Sequence, residues 1–459
     1  MPPWPWVILG RVPRLVPGDA EAEHAADFSI PVALPPRVTV VITDPSTHPD
    51  PNYPDKYPYI VAVDTVGLLF HFNADPFYGV CFADRPYESN IIVASQFHTN
   101  GVQQGHATTA TAERIPGRDG CDPIIFDIES IGFVSVNSGE DYLIAELMVD
   151  KGSECARLVH FSMGNHKWCE ENVVNPLSAH DRDWVPAGVV SHKEKLWWFD
   201  LSWGILSCDP FVDDLVLLFH SLPEDRILGM ARPDIHDHRC ITESLYVLRY
   251  VEIIIPEGSV HDQGEAATVY MWTRISAPDG GDETIGWDIE YEMSFAEIWN
   301  DDSYRRTELP QKVPVLAVVC PSNPRLVYFA LEQEQRLFSV DVPLHRVVDF
   351  IDEAYELVTP GPAPPSCRYV LPWFLPLSVA QALGMDPFEE GDETDGDDEL
   401  QAAEIDGDDE LQAAEIDDVL QAAEIDGDDD DLQAGEIDDD ELLKSDVTEP
   451  EDDAGEGAS

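Results

Sequence analysis

The stretch Gly188-Val-Val-Ser-His192, Lys193-Glu194, Lys195-Leu-Trp-Trp-Phe-Asp-Leu201, Ser202-Trp203, Gly204-Ile-Leu-Ser-Cys208 and, past an acidic loop, Leu215-Val-Leu-Leu-Phe-His-Ser221 decides the fold. Four short β-branched and aromatic runs are separated by two-residue polar breaks, the signature of an antiparallel meander of about 35 residues. Alternation along Lys195 to Leu201 puts Leu196, Trp198 and Asp200 on one face and Trp197 with Phe199 on the other. Both faces carry large rings, so the strand is expected to lie between two other sheets. Asp200 and Asp209 stand beside turns, where a carboxylate accepts backbone N–H bonds, and a structural role is expected for both.

Outward from this stretch the same pattern recurs. Similar meanders can be drawn at about 131–178, 240–300 and 314–350, with less regular ones before them. Four-stranded units of roughly 40 to 50 residues bury their faces on one another when arranged radially, which leaves few strand edges exposed. The expectation is therefore an all-β, propeller-like body over residues 37–385. An N-terminal segment, 1–36, is expected to pack on that body, and an acidic tail over 386–459 to follow it. A two-sheet sandwich is the alternative architecture, since Gly280-Gly281 is a lone pair rather than a repeated blade signature.

The charge divides the chain in the same place. Of 90 Asp+Glu and 26 Lys+Arg, residues 389–459 hold 33 acids and one base, Lys444, so that tail carries half of the net −64. The last large ring of the chain is at Phe388, before the tail, and a segment with nothing to bury cannot offset the entropy of ordering, so it is expected to be disordered. Leu-Gln-Ala-Ala-Glu-Ile recurs at 400–405, 411–416 and 420–425, with a Gly-containing version at 432–437. Starts 11, 9 and 12 residues apart do not hold one helical face. The Asp-Gly-Asp-Asp spacers miss the Gly and closing Glu of a calcium loop in the register from Asp426. A chain this acidic is not expected to bind nucleic acid or to dock on anionic membranes.

Eight cysteines without any Cys-x-x-Cys, no long apolar run and an N-terminus that makes a poor signal peptide favour a cytoplasmic or nuclear setting.

From Trp184 to Pro210 the chain resembles the DUF1618 family, uncharacterised proteins greatly expanded in grasses. Trp184, His192, Leu196-Trp197-Trp198, Asp200-Leu201, Gly204-Ile205-Leu206 and Cys208-Asp209-Pro210 carry the resemblance. Weaker similarity follows at Trp272, Trp287, Trp299, Pro321, Pro324, Val327-Tyr328-Phe329 and Val340-Asp341, and the opening Trp6 to Arg11 matches the family's usual start. Ser244 stands near where relatives carry Gly. The resemblance spans about residues 4–350 and implies a grass protein, propeller-like, with no established activity. No catalytic residue can be carried over.

Little else reads as chemistry. His236-Asp237-His238 with Cys240 could place three ligands on one side of an extended chain, a metal reading outweighed by that of an exposed loop. His98 and His106 flank a Gly/Gln loop, and His192 is expected to be a packed strand-end residue. Nucleophile-elbow, Walker, dinucleotide and zincin signatures are all absent, so no cofactor is expected and the catalytic residues are unknown. The reading is a non-enzymatic protein-interaction module. Alternatives are a tail that binds basic proteins such as histones and a hydrolase or lyase working at the propeller mouth.

Overall fold

The computed structural model describes residues 4–15, 28–43, 58–64, 66–72, 90–100, 107–116, 127–136, 141–256, 267–276, 284–359 and 365–385. The acidic tail expected over 386–459, with its repeats, and His106 of the Gly/Gln loop lie outside the described residues.

In chain order the strands are β1 (Trp6–Leu15), β2 (Phe28–Pro31), β3 (Val38–Thr43), β4 (Pro58–Val63), β5 (Leu68–Phe72), β6 (Asn90–Asn100), β7 (Ala107–Arg114), β8 (Ile131–Val136), β9 (Asp141–Met148), β10 (Cys155–Ser162) and β11 (Lys167–Val174). They continue as β12 (Gly188–His192), β13 (Lys195–Asp200), β14 (Gly204–Cys208), β15 (Leu218–Ser221), β16 (Arg239–Ser244), β17 (Val247–Ile254), β18 (Thr268–Ser276) and β19 (Thr284–Ser294). The last are β20 (Val315–Val319), β21 (Leu326–Leu331), β22 (Arg336–Asp341), β23 (Arg346–Phe350) and β24 (Val370–Phe374). Helices are short: α1 (Ile235–His238), α2 (Phe295–Asn300), α3 (Asp302–Arg305) and α4 (Leu377–Ala382). None of them is long and apolar enough to cross a membrane.

Four antiparallel meanders, β8 to β11, β12 to β15, β16 to β19 and β20 to β23, each form a separate four-stranded sheet. The remaining eight strands form one ladder in the order β24-β1-β3-β2-β7-β6-β5-β4. It comprises two further four-stranded units joined edge to edge where β2 pairs with β7, Phe28 opposite Ala110. The first strand of each unit packs beside that of the next: β4 by β8, β8 by β12, β12 by β16, β16 by β20 and β20 by β24, while β1 lies against β4. The described residues thus form an all-β, propeller-like ring of six blades.

The closing blade corrects one expectation. Residues 1–36 were expected to pack on a body beginning at 37, yet β1 and β2 are strands within it. β1 pairs antiparallel with β24, Trp6 opposite Phe374, and parallel with β3, Ile8 opposite Val38. Val7, Ile8 and Leu9 are consecutive and fully buried. Only an internal strand covered on both faces can bury neighbours that point in opposite directions.

Blade faces make the core. Leu196 and Trp198 pack with Val134, Leu143 and Ala145 of the preceding blade. Trp197 and Phe199, on the other face of β13, pack with Ile241, Leu248 and Tyr250 of the following one. Two-residue turns with both φ angles positive, Lys193-Glu194 and Leu245-Tyr246, join β12 to β13 and β16 to β17. This twist matches that of the flanking strands.

One core residue gives the stability a pH dependence. His71 on β5 is fully enclosed, both ring nitrogens lack a hydrogen-bond partner, and burial pushes its imidazole down from 6.5 to about 3. Below pH 6.5 the unfolded chain takes up a proton here that the folded chain refuses. The contribution is complete above pH 6.5 and is lost as pH falls toward 3. In His71→Leu the dependence of unfolding free energy on pH over that window should be shallower, by up to about 1.4 kcal/mol per pH unit. Urea titrations of both proteins across the window measure this, and parallel slopes would refute it.

Candidate functional site

Every blade contributes to one central cavity of about 370 Å³, bounded by the innermost strands β4, β8, β12, β16, β20 and β24. Its walls are largely apolar, with Val61, Phe133, Val189, Ile241, Val318 and Val370 each coming from a different blade. These six strands run in the same sense, so the cavity has an entry end, where they begin, and an exit end, where they finish.

At the exit end the polar lining is Asp64, Ser135, Ser191, Lys193, Thr242 and Glu243. The Asp64 carboxylate accepts the Ser135 hydroxyl at 2.6 Å and its backbone N–H at 3.2 Å, joining two blades. The Trp373 indole donates to the Asp64 carbonyl at 3.2 Å. His192 lies 2.6 Å from Glu243 through Nδ1, again across a blade boundary, and is buried.

At the entry end the lining is Arg11, His236, Cys240 and Cys367, with Tyr59, Glu129 and Arg368 close by. Burial, then the charges of Arg368 and Arg11, pushes the His236 imidazole down to about 3, so the ring is neutral at ordinary pH. The Cys367 thiol donates to the His236 and Arg239 carbonyls at 3.0 and 3.2 Å, and burial raises it well above the ordinary thiol range. Cys240 is pushed up to about 12 by burial alone. Both sulfurs are free thiols and neither is an activated thiolate. Glu129 is raised chiefly by burial, against the pull of Arg11 and Arg368. Asp127 stands well above the carboxylate range for the same first reason, with Glu129 adding repulsion.

The metal reading of residues 236–240 assumed an extended chain, and the structure differs. Ile235–His238 is one turn of helix, started by the Ile235 N–H bonding the Arg232 carbonyl at 3.2 Å and the Asp237 N–H bonding that of Asp234 at 3.0 Å. Residues two apart on a helix point in divergent directions. His236 lines the cavity, whereas His238 stands 3.9 Å from the Asp234 carboxylate. Among the described residues no group of three His, Cys, Asp or Glu side chains could hold a metal ion. Cys367, far off in sequence, is the thiol that meets His236, and no local pattern announced it.

The residues of the 184–210 motif lie mostly away from the cavity, in the blade. Trp198 donates to the Ser130 carbonyl at 2.7 Å and Trp197 to that of His192 at 3.2 Å. Asp200 accepts the Ser202 N–H and hydroxyl at 2.8 and 2.5 Å and the Val185 N–H at 3.1 Å. Its carboxyl is nonetheless raised, burial outweighing those bonds. Asp209 accepts the Phe211 N–H at 3.0 Å. A Cβ at Gly204 would fall 2.5 Å from the Phe219 ring and 2.6 Å from the His220 carbonyl, so the strand crossing requires glycine. Cys208 and Pro210 are buried, while Trp184 stacks at an angle on Trp203, ring centres 6.3 Å apart.

Residues 198–328 match the family described as Protein of unknown function (DUF1618). No curated protein matches the chain. Among solved structures the chain is similar to AztD from Citrobacter koseri, at 12% identity over 64% of this chain and 72% of that one, TM-score 0.29. It is also similar to the β-propeller domain of Myceliophteria thermophila Cps50 (Swd1), at 9% identity over 63% and 84%, TM-score 0.27. A third is the C-terminal domain of gp131 from bacteriophage phiKZ, at 10% identity over 67% and 95%, TM-score 0.22.

Proposed function

We propose that this DUF1618 domain-containing protein is a non-enzymatic protein-interaction module that docks its partner on the face where the inner strands end. The observation that carries the reading is the Leu245-Tyr246 turn. Both residues have positive φ, 48° and 60°, and they are 50% and 80% exposed. Turns of this kind are ordinarily built from Asn and Gly, because bulky side chains strain a left-handed backbone. Strain of this sort, kept alongside exposed apolar side chains, is the combination expected where function rather than stability selects the residues.

Antiparallel meanders bring the loop after each third strand to the same face. There the β14–β15 loop exposes Phe211, Val212 and Val216, and the connection before β23 exposes Leu344. Glu194, Asp213 and Asp214 are exposed around them, so the complementary partner offers apolar side chains with a basic rim.

The double replacement Leu245→Asn, Tyr246→Gly supplies the residues this turn prefers. It should raise stability by about 1 kcal/mol or more while removing the exposed pair. Quantitative affinity purification with the tagged full chain should then show specific partners lost from a variant that melts at a higher temperature. An unchanged partner set would reject this surface as the docking face.

A further inference from the structure

We infer that the entry end of the central cavity is a binding site for a small organic carboxylate, held at its head by Arg11 and along its body by the apolar strand walls. The inference is independent of the docking face and concerns the opposite end of the ring.

Arg11 is 8% exposed and lines the cavity. Its Nη1 donates to the Val61 carbonyl at 3.0 Å, and its guanidinium carbon stands 5.6 Å from the Tyr59 ring centre. Its Nε is buried without an acceptor. None of the ion pairs among the described residues includes it. A buried guanidinium N–H without an acceptor is costly, and chains keep one where a ligand completes it.

The surroundings add to the deficit of negative charge. Arg368 approaches Glu129 only to 4.0 Å, between Nε and Oε1. The two guanidinium groups face Glu129, and Arg368 also acts on Asp127, two carboxyls whose ionisation burial discourages. His236, lining the same end, feels the field of both as a further push against protonation.

The occupant follows from the chemistry. A guanidinium offers parallel donors that fit a carboxylate. A volume of about 370 Å³ walled by valine, isoleucine and phenylalanine side chains suits a ring or short aliphatic body. A dianion such as phosphate would carry a larger desolvation cost into those walls. Neutral analogues would leave the guanidinium uncompensated.

The test uses the full chain with benzoate, phenylacetate and hexanoate as probes, their primary amides as neutral controls, and inorganic phosphate. Saturation-transfer NMR and titration calorimetry should show carboxylates binding at least about tenfold more tightly than the matching amides and than phosphate. Arg11→Met should remove that preference, and Arg11→Lys should restore part of it. No binding of any carboxylate at millimolar concentration, equal affinity for acid and amide, or tighter binding of phosphate would each overturn the assignment. The acid-to-amide comparison in the unaltered protein decides the matter even if Arg11→Met fails to fold.

Discussion

Trp198→Ala is expected to lower the unfolding free energy by about 3–5 kcal/mol. The side chain is fully buried, packs among the residues of two blades and donates its indole N–H across the blade boundary to the Ser130 carbonyl at 2.7 Å. Alanine leaves a cavity that neighbouring strands cannot close, because their backbones are held in two ladders, and it orphans a buried carbonyl. Trp198→Phe keeps most of the ring volume and should cost less than half as much. Equilibrium urea unfolding of both variants separates packing from the hydrogen bond. A loss below about 1 kcal/mol in the alanine variant would show that the blades are not held together by this contact.

The second large effect is electrostatic. Arg239 on β16 is buried and pairs with Glu252 on β17 at 2.6 Å, both side chains under a tenth exposed. Its other nitrogen donates at 2.9 Å to the Leu201 and Arg226 carbonyls of the neighbouring blade, and Tyr250 donates to Glu252 at 2.8 Å. Arg239→Met leaves an uncompensated buried carboxylate and should cost about 3–5 kcal/mol. Adding Glu252→Gln removes that charge, so the double variant should be more stable than Arg239→Met alone. A double-mutant cycle measures the coupling. If the two changes simply add, Arg239 acts through its bonds to the next blade rather than through the pair.

What could be read in advance depended on locality. The 188–221 meander was legible because its two-residue turn and the alternation of Trp197 and Trp198 lie within a few positions of one another, and the two rings do face different blades. Strands β6 and β7 were not read, since a run such as Ala107–Arg114, Ala-Thr-Thr-Ala-Thr-Ala-Glu-Arg, has no large apolar residue. β11 is the outer strand of its blade, and its Glu170-Glu171 hides the strand period. β24 carries Pro372, which ordinarily argues against a strand, but an innermost strand is a sheet edge with no ladder bond to give on its cavity side. Blade number was unreadable because the closing blade draws on both Trp6–Leu15 and Val370–Phe374. The entry end of the cavity was equally hidden. Arg11, Tyr59, Glu129, His236 and Cys367 meet only once the ring has closed, and no spacing in the chain links them.

The pairing of β1 with β24 also imposes an order on events during synthesis. At ribosomal rates of ~5–20 residues per second, β1 waits roughly 20–70 s for the strand that covers its inner edge. Through that interval an apolar strand with Val7, Ile8 and Leu9 keeps an unpaired edge, the kind of template on which chains aggregate. The nascent chain is thus exposed at β1 for longer than at the strands of the four sequential meanders, and a holdase acting on β1 would protect it through that interval.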